Sequence, residues 1–388
     1  MKSRLLLIAM ADSIHVARWL EQIKEEHLEV VLISSSPHRR IHERVRALIE
    51  GASGQNLTLR MPFLSKNMSL LLWLLDRFAS DRLRGYLVSR TIRRFDPRVV
   101  HVLEFQHGGY MLNTVPDNRL ANRVVAVTNY GSDIFWFSKF PKHKAKIRKL
   151  LLRADAYSAE CARDEALARQ LGFQGTISRI FPNTGGLTAE TLKIGRESSV
   201  ASGRKVILVK GYQNVFGRAL VAIRALALIS DSLKDYKIVI FSANLSTAIS
   251  AFWYKLSKNL NVEVHLKGRL SHSEMLELFR VSRCYVGLSR SDGISTSLLE
   301  AMAMGAFPIQ TGTACVAEWA KDGVSALILN DLKTALVVDS INKAITSDPL
   351  VDSAQVINSA IIEERYSSTV VGSSVREFYR ELLDRYQD

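Results

Sequence analysis

Between Tyr285 and Gln310 the chain spells out a strand, a loop, a short helix and a second strand. Tyr285 to Leu288 is apolar and runs into Ser289-Arg290-Ser291-Asp292-Gly293-Ile294-Ser295-Thr296, a loop rich in hydroxyls and loosened by glycine. The helix that follows stops at Gly305 and gives way to a strand opened by Pro308, the expected punctuation of a strand-loop-helix-strand unit. The first backbone N–H groups of such a helix have no partner within it and face the loop, which makes the place suited to an anion. Asp292 and Glu300, with seven residues between them, put a carboxylate on either side of that helix start. Ser297-Leu298-Leu299-Glu300 also fits a capping box, in which Glu300 only reaches back to the first turn.

The rest of the chain alternates strands and helices. Leu5 to Met10 reads as a buried strand, Ser13 caps a helix carrying Val16, Leu20 and Ile23 on one face, and Val30 to Ser34 completes a β-α-β unit. The loop Ala11 to His15 has no glycine, so the dinucleotide pattern G-x-G-x-x-G is absent and hydride transfer loses its main support. Further strands are read at Val99 to Leu103, Val124 to Thr128, Val206 to Val209, Lys237 to Phe241, Val262 to Leu266 and Cys284 to Leu288, which together predict a doubly wound parallel α/β fold. At 388 residues the chain is too long for one typical core. Phe181 to Gly186 is the best boundary, and the polar stretch Gly195 to Lys205 reads as a linker nearby. Ser367 to Asp388 reads as a helix with Val375, Phe378, Tyr379 and Leu382 on one side.

The net charge of +14 is unevenly placed, since residues 61–153 hold 17 Lys and Arg against 6 Asp and Glu, a surplus of 11. That asymmetry predicts an anionic partner, or else a solvated basic face. Within it Leu71, Leu74, Leu75 and Phe78 share one helical face, with Trp73 and Arg77 off it. Phe135-Trp136-Phe137 is followed by seven basic residues. Both patterns suit an anionic membrane surface, and both also suit core packing with a solvated flank. No nucleic-acid module is recognisable, so no nucleic acid is expected. No apolar run nears the roughly 18 residues that span a bilayer. Cys161, Cys284 and Cys315 form no ligand pair, so each reads as a buried hydrophobe in a reducing, cytoplasmic setting.

The stretch around Glu300 resembles the E-x7-E signature of retaining glycosyltransferase family 4, with Leu299-Glu300-Ala301-Met302-Ala303-x-Gly305-x-x-Pro308 in place and Asp292 where glutamate is commoner. Glu318-Trp319 followed by Asp322-Gly323 is similar to the family's later glycine turn. The resemblance implies that Glu300 holds the ribose hydroxyls of a nucleotide sugar, that Asp292 lies on the sugar side, and that Gly293, Ile294, Ser295 and Thr296 cradle the diphosphate. Lys210 and Arg218 match the family's diphosphate-neutralising basic pair, at a departed spacing. Thr128-Asn129-Tyr130-Gly131-Ser132-Asp133 resembles the T-x-H-G-x-D/E turn near the reacting centre. Tyr130 stands where histidine is usual and is a poor base near neutral pH, while Asp133 alternatively caps the turn through its own backbone. His15 and His107 are the acceptor-side candidates, with local hydrogen bonding as the alternative for His15.

The implied architecture is GT-B: two Rossmann-like domains facing a cleft, residues 1–183 with a returning helix 367–388 on the acceptor side, and residues 184–366 binding the donor. The implied activity is hexosyl transfer with retention, from a UDP-sugar in first expectation, to a glycan or lipid-linked acceptor in surface polysaccharide or glycolipid synthesis. The protein would sit peripherally on the inner membrane face. No D-x-D motif stands in a suitable loop, so neither metal nor cofactor is required. A nucleotide-sugar epimerase of the same architecture and a non-catalytic basic adaptor for membrane or nucleic acid remain the alternatives.

Overall fold

Two all-parallel sheets organise the chain in the computed structural model, which describes residues 2–36, 40–51, 56–61, 66–79 and 81–385. One compact unit comprises Met1–Gly186 with Val371–Asp388, and the other Leu187–Val370.

The first unit holds β1 (Ser3–Ala9), β2 (Leu28–Ser34), β3 (Thr58–Arg60), β4 (Val99–Leu103), β5 (Val124–Thr128), β6 (Ala156–Ala159) and β7 (Ile177–Ile180) in the order β3-β2-β1-β4-β5-β6-β7. The second holds β8 (Val206–Lys210), β9 (Lys237–Ala243), β10 (Val262–Leu266), β11 (Cys284–Gly287), β12 (Phe307–Thr311) and β13 (Leu327–Leu329) in the order β10-β9-β8-β11-β12-β13. Leu5 to Ala9 is apolar without alternation, and Val99 to Leu103 is apolar but for His101, because helices cover both faces of a parallel sheet, and these residues are buried throughout. The order reverses between β1 and β4 and between β8 and β11, and the carboxyl ends at those two points are where folds of this kind place ligands.

The C-terminal helix Ser368–Asp384 buries Val375, Phe378, Tyr379 and Leu382 in the core of the first unit. A chain of buried hydrogen bonds fixes it there. Trp19 Nε1 donates to the Tyr379 hydroxyl at 2.9 Å, which lies 2.8 Å from His101 Nδ1, while His101 Nε2 lies 2.8 Å from Thr128 Oγ1. Burial pushes His101 down to about 3, so the ring is neutral.

The stretch read as a linker is packed structure. The helix Ala189–Arg196 lies so close to the helix Thr296–Ala303 that a Cβ on Gly195 would stand 2.0 Å from the Ala303 carbonyl oxygen. Arg204 is buried and donates to the carbonyls of Ser282 at 3.0 Å and Met304 at 3.2 Å. Polar composition here supplies donors to buried carbonyls rather than solubility to a tether.

In the basic region the helix Lys66–Ala79 leaves Leu71, Leu74, Leu75 and Phe78 exposed, Phe78 at 88%. The side chains of Trp73 and Arg77 lie outside the described residues. Phe135, Trp136 and Phe137 are half-buried, and Phe135 is covered by Arg163 at 3.9 Å and Lys139 at 4.4 Å from its ring. All three cysteines are buried. Among the described residues no helix is long and apolar enough to cross a membrane.

Candidate functional site

The second unit gathers its polar groups where β8 and β11 end side by side. The chain leaves β8 at Lys210 and turns tightly, since a Cβ on Gly211 would lie 2.8 Å from both Ala243 Cα and the Phe241 carbonyl oxygen. That turn aims Lys210 across to the loop after β11. Its Nζ donates to Ser295 Oγ at 3.2 Å and lies 3.9 Å from Asp292 Oδ2. Burial opposes the Lys210 charge, but Tyr285, Asp292, Tyr212 and Glu300 together outweigh it and hold the ammonium above its ordinary value.

Asp292 also accepts from the Gly293 amide at 3.0 Å, which removes that N–H from any cradle. The helix Thr296–Ala303 begins at the N-cap Ser295, whose side chain makes no capping bond; the Ser295 hydroxyl is turned to Lys210 instead. Within the first turn the Leu298 amide already donates to the Ser295 carbonyl at 2.9 Å, and the amides before it have no partner inside the helix.

Glu300 is 2% exposed and does not close a capping box. Its Oε1 lies 2.7 Å from His272 Nε2. His272 opens the helix His272–Val281, whose start is locked by a reciprocal capping box between Ser271 and Glu274. That box fixes the first turn and with it the position from which His272 reaches Glu300. Truncating His272 to Ala leaves a buried carboxylate short of one partner, which costs about 1–3 kcal/mol of positioning. We expect urea unfolding to register a loss within that range, with His272→Gln restoring part of it.

Arg218 does not join this group by its guanidinium, which donates to the carbonyls of Asn214, Gly217 and Val215, the last two at 2.7 and 3.1 Å. It stands at the N-cap of the helix Ala219–Leu228, and its side chain folds back on its own loop. Sequence reading also missed Tyr212, whose ring has Lys210 Nζ at 5.4 Å and Lys267 Nζ at 5.8 Å.

In the first unit the corresponding strand ends bring together His15, Tyr130, Asp133, Glu104 and His107. The rings of His15 and Tyr130 are 6.1 Å apart. The Tyr130 hydroxyl is buried and has no partner among the described residues, and burial holds it far above its usual pKa, so it is a phenol that donates. Asp133 Oδ2 accepts from the amides of Phe105 at 2.8 Å and Tyr130 at 3.0 Å, clipping the turn after β5 to the π-helical turn Phe105–Gly109 after β4. Glu104, at a left-handed φ of 84°, accepts from the His107 amide at 2.9 Å and lies 3.3 Å from His107 Nδ1, which raises the His107 pKa.

Burial first, then the neighbouring Glu104, pushes Asp133 up from 3.8 to about 8. The folded state therefore holds one more proton than the unfolded chain between those values, and stability falls as pH rises across that window. Asp133→Asn keeps the accepting oxygen and should flatten this part of the profile in urea unfolding between pH 4 and 8. A slope unchanged by the substitution would show that Asp133 ionises at its ordinary value.

Two family profiles match the chain: glycosyl transferases group 1 over residues 198–361 and glycosyl transferase 4-like over residues 4–159. No curated protein matches by sequence. Among solved structures, HepE of Anabaena in complex with UDP is similar at a TM-score of 0.70 and 12% identity, over 98% of this chain and 100% of that one. An alpha,alpha-trehalose-phosphate synthase (UDP-forming) from Burkholderia vietnamiensis is similar at 0.68 and 13%, over 99% of this chain and 100% of that one. At such identities the structures speak for the shared GT-B fold. With a group 1 glycosyltransferase profile on the second unit and a glycosyltransferase 4-like profile on the first, the chain is a glycosyltransferase of GT-B fold.

Proposed function

We propose that this enzyme moves a hexosyl group with retention from a UDP-sugar to a glycan or lipid-linked acceptor at an anionic membrane surface. The observation that carries the reading is the convergence of Lys210, Ser295 and Asp292 on the start of the helix that carries Glu300. UDP is favoured because the similar structures include HepE with UDP and with UDP-glucose.

In this reading Glu300, steadied by His272, takes the ribose hydroxyls. The diphosphate lies against Lys210 and the amides of Ile294, Ser295 and Thr296, and Asp292 meets the sugar. The bond between the anomeric carbon and the phosphate oxygen breaks with its electrons passing to the diphosphate. The acceptor hydroxyl bonds the same face of that carbon and gives its proton to the departing phosphate oxygen. The protein's part is positioning and charge stabilisation. Arg218 joins only if its loop opens. On the first unit we assign the acceptor side to His15, His107 and the Tyr130 hydroxyl, with Asp133 holding the Tyr130 turn in place.

Titration calorimetry with UDP, GDP and ADP tests the donor reading: UDP alone should bind with useful affinity, and no binding by any of them would favour the adaptor. Incubation with UDP-glucose, with and without a lipid-linked acceptor, separates transfer from epimerisation, which yields product without acceptor. The exposed Leu71, Leu74, Leu75 and Phe78 beside a basic flank support the membrane part. Phe78→Ser with Leu74→Ser should lower binding to phosphatidylglycerol vesicles; unchanged binding would reject docking through this helix.

A further inference from the structure

The helix Leu245–Lys258 in the second unit has an apolar face turned to solvent. Leu245, Ile249, Phe252, Trp253 and Leu256 are exposed at 70, 62, 61, 67 and 67%. Their spacing of 4, 3, 1 and 3 residues puts all five on one face, within roughly 100° of arc. The opposite face is the one that packs, with Thr247 and Ala251 buried. Serines 246, 250 and 257 border the stripe on one side and Ala248 and Lys255 on the other. Phe252 and Trp253, about 100° apart, form the two edges of the stripe, and so large an exposed aromatic pair is costly to solubility unless something covers it.

We propose that this helix is a second lipid-contacting element, lying in the headgroup region of the membrane with Phe252 and Trp253 as its anchors. Three observations favour lipid over a second copy of the chain. The helix has no acidic residue in its 14 positions and carries Lys255 and Lys258 in its last turn, which suits a negatively charged surface. The net charge of +14 opposes self-association. The face is also small: a helix about 21 Å long and about 10 Å across covers far less than the roughly 800 Å² per partner of a stable interface. A shallow helix in the interface needs no more than such a stripe, and tryptophan is the residue most at home at that depth.

The element is also wired to the donor edge. Its N-cap Asn244 exchanges hydrogen bonds with Gln213, accepting at 2.8 Å and donating at 2.9 Å, and Thr247 Oγ1 donates to the Gly211 carbonyl at 3.0 Å. Both contacts fall on the loop that leaves Lys210. Docking would thus order the loop behind the diphosphate, independently of the helix Lys66–Ala79.

The full chain is tested on vesicles of phosphatidylglycerol and phosphatidylethanolamine with brominated acyl chains. Tryptophan quenching is expected, and Trp253→Phe should remove a clear part of it without changing the bound fraction by more than about twofold. The triple variant Phe252→Ser, Trp253→Ser, Leu256→Ser should lower the bound fraction at least fivefold while UDP affinity in solution stays within about twofold. Quenching that Trp253→Phe leaves unchanged overturns the proposal, even if the triple variant fails to fold. So does a wild-type dimer in solution that the triple variant converts to monomer, since the occupant is then a second copy.

Discussion

Glu300→Gln should abolish measurable UDP binding while leaving the fold intact. A carboxylate that accepts from two ribose hydroxyls contributes about 1.5–3 kcal/mol per charge-assisted hydrogen bond, so losing the charge costs roughly 10²- to 10⁴-fold in affinity. Glutamine still offers His272 an accepting oxygen at the position where the two side chains now meet at 2.7 Å, and Glu300 makes no cap that the change would break. Stability should therefore shift by less than about 1 kcal/mol in urea unfolding, because an isosteric amide neither opens a cavity nor buries a new charge. Calorimetry on wild type and variant decides it. Affinity kept within threefold would mean that Glu300 serves only to tie its helix to His272.

The grouping proposed to hold the donor was legible in sequence because its members are local. Asp292, Ser295 and Glu300 sit on one loop and one helix, so spacing alone brings them to one end of the element. Lys210 needed one step more, the exit of an apolar strand, and the adjacency of β8 and β11 then carried it to Ser295. His272 was out of reach because its contact crosses 28 residues and two helices, although the capping box that positions it is plain in Ser271-x-x-Glu274. Arg218 reads in sequence as a diphosphate partner, and its guanidinium here meets its own loop's carbonyls, which a cation at a helix start satisfies as readily as a ligand. Asp133 was legible as a turn residue, but its second bond, to Phe105, depends on β4 and β5 being neighbours. The stripe on the helix Leu245–Lys258 was illegible for a deeper reason. Apolar periodicity is the same whether the stripe faces a core or solvent, and here the small residues Thr247 and Ala251 are the ones that pack. The short strands β3, β6, β7 and β13 span three or four residues each, too few for any period to show.

Lys210→Met should act on turnover rather than on donor affinity. When the anomeric bond breaks, a full negative charge develops on the departing diphosphate. A fixed cation in a poorly solvated site stabilises that charge more than it stabilises the bound donor. Lys210 fits the task because its ammonium stays charged despite burial and is held in place by Ser295 at 3.2 Å. Removing one such group in other enzymes costs on the order of 10²- to 10³-fold in kcat, and the same is expected here, with the KM for the UDP-sugar moving less than about tenfold. Lys210→Arg keeps the charge at the wrong distance and should recover only part. The assay is release of UDP from the UDP-sugar, followed at saturating donor so that binding drops out. A kcat within threefold of wild type would remove Lys210 from the chemistry. A loss confined to KM would make it an ordinary phosphate contact, binding donor and transition state alike. In either case the charge on the leaving group would have to be met by the helix-start amides of Ile294, Ser295 and Thr296, and the rate should then respond to changes at Ser295 instead.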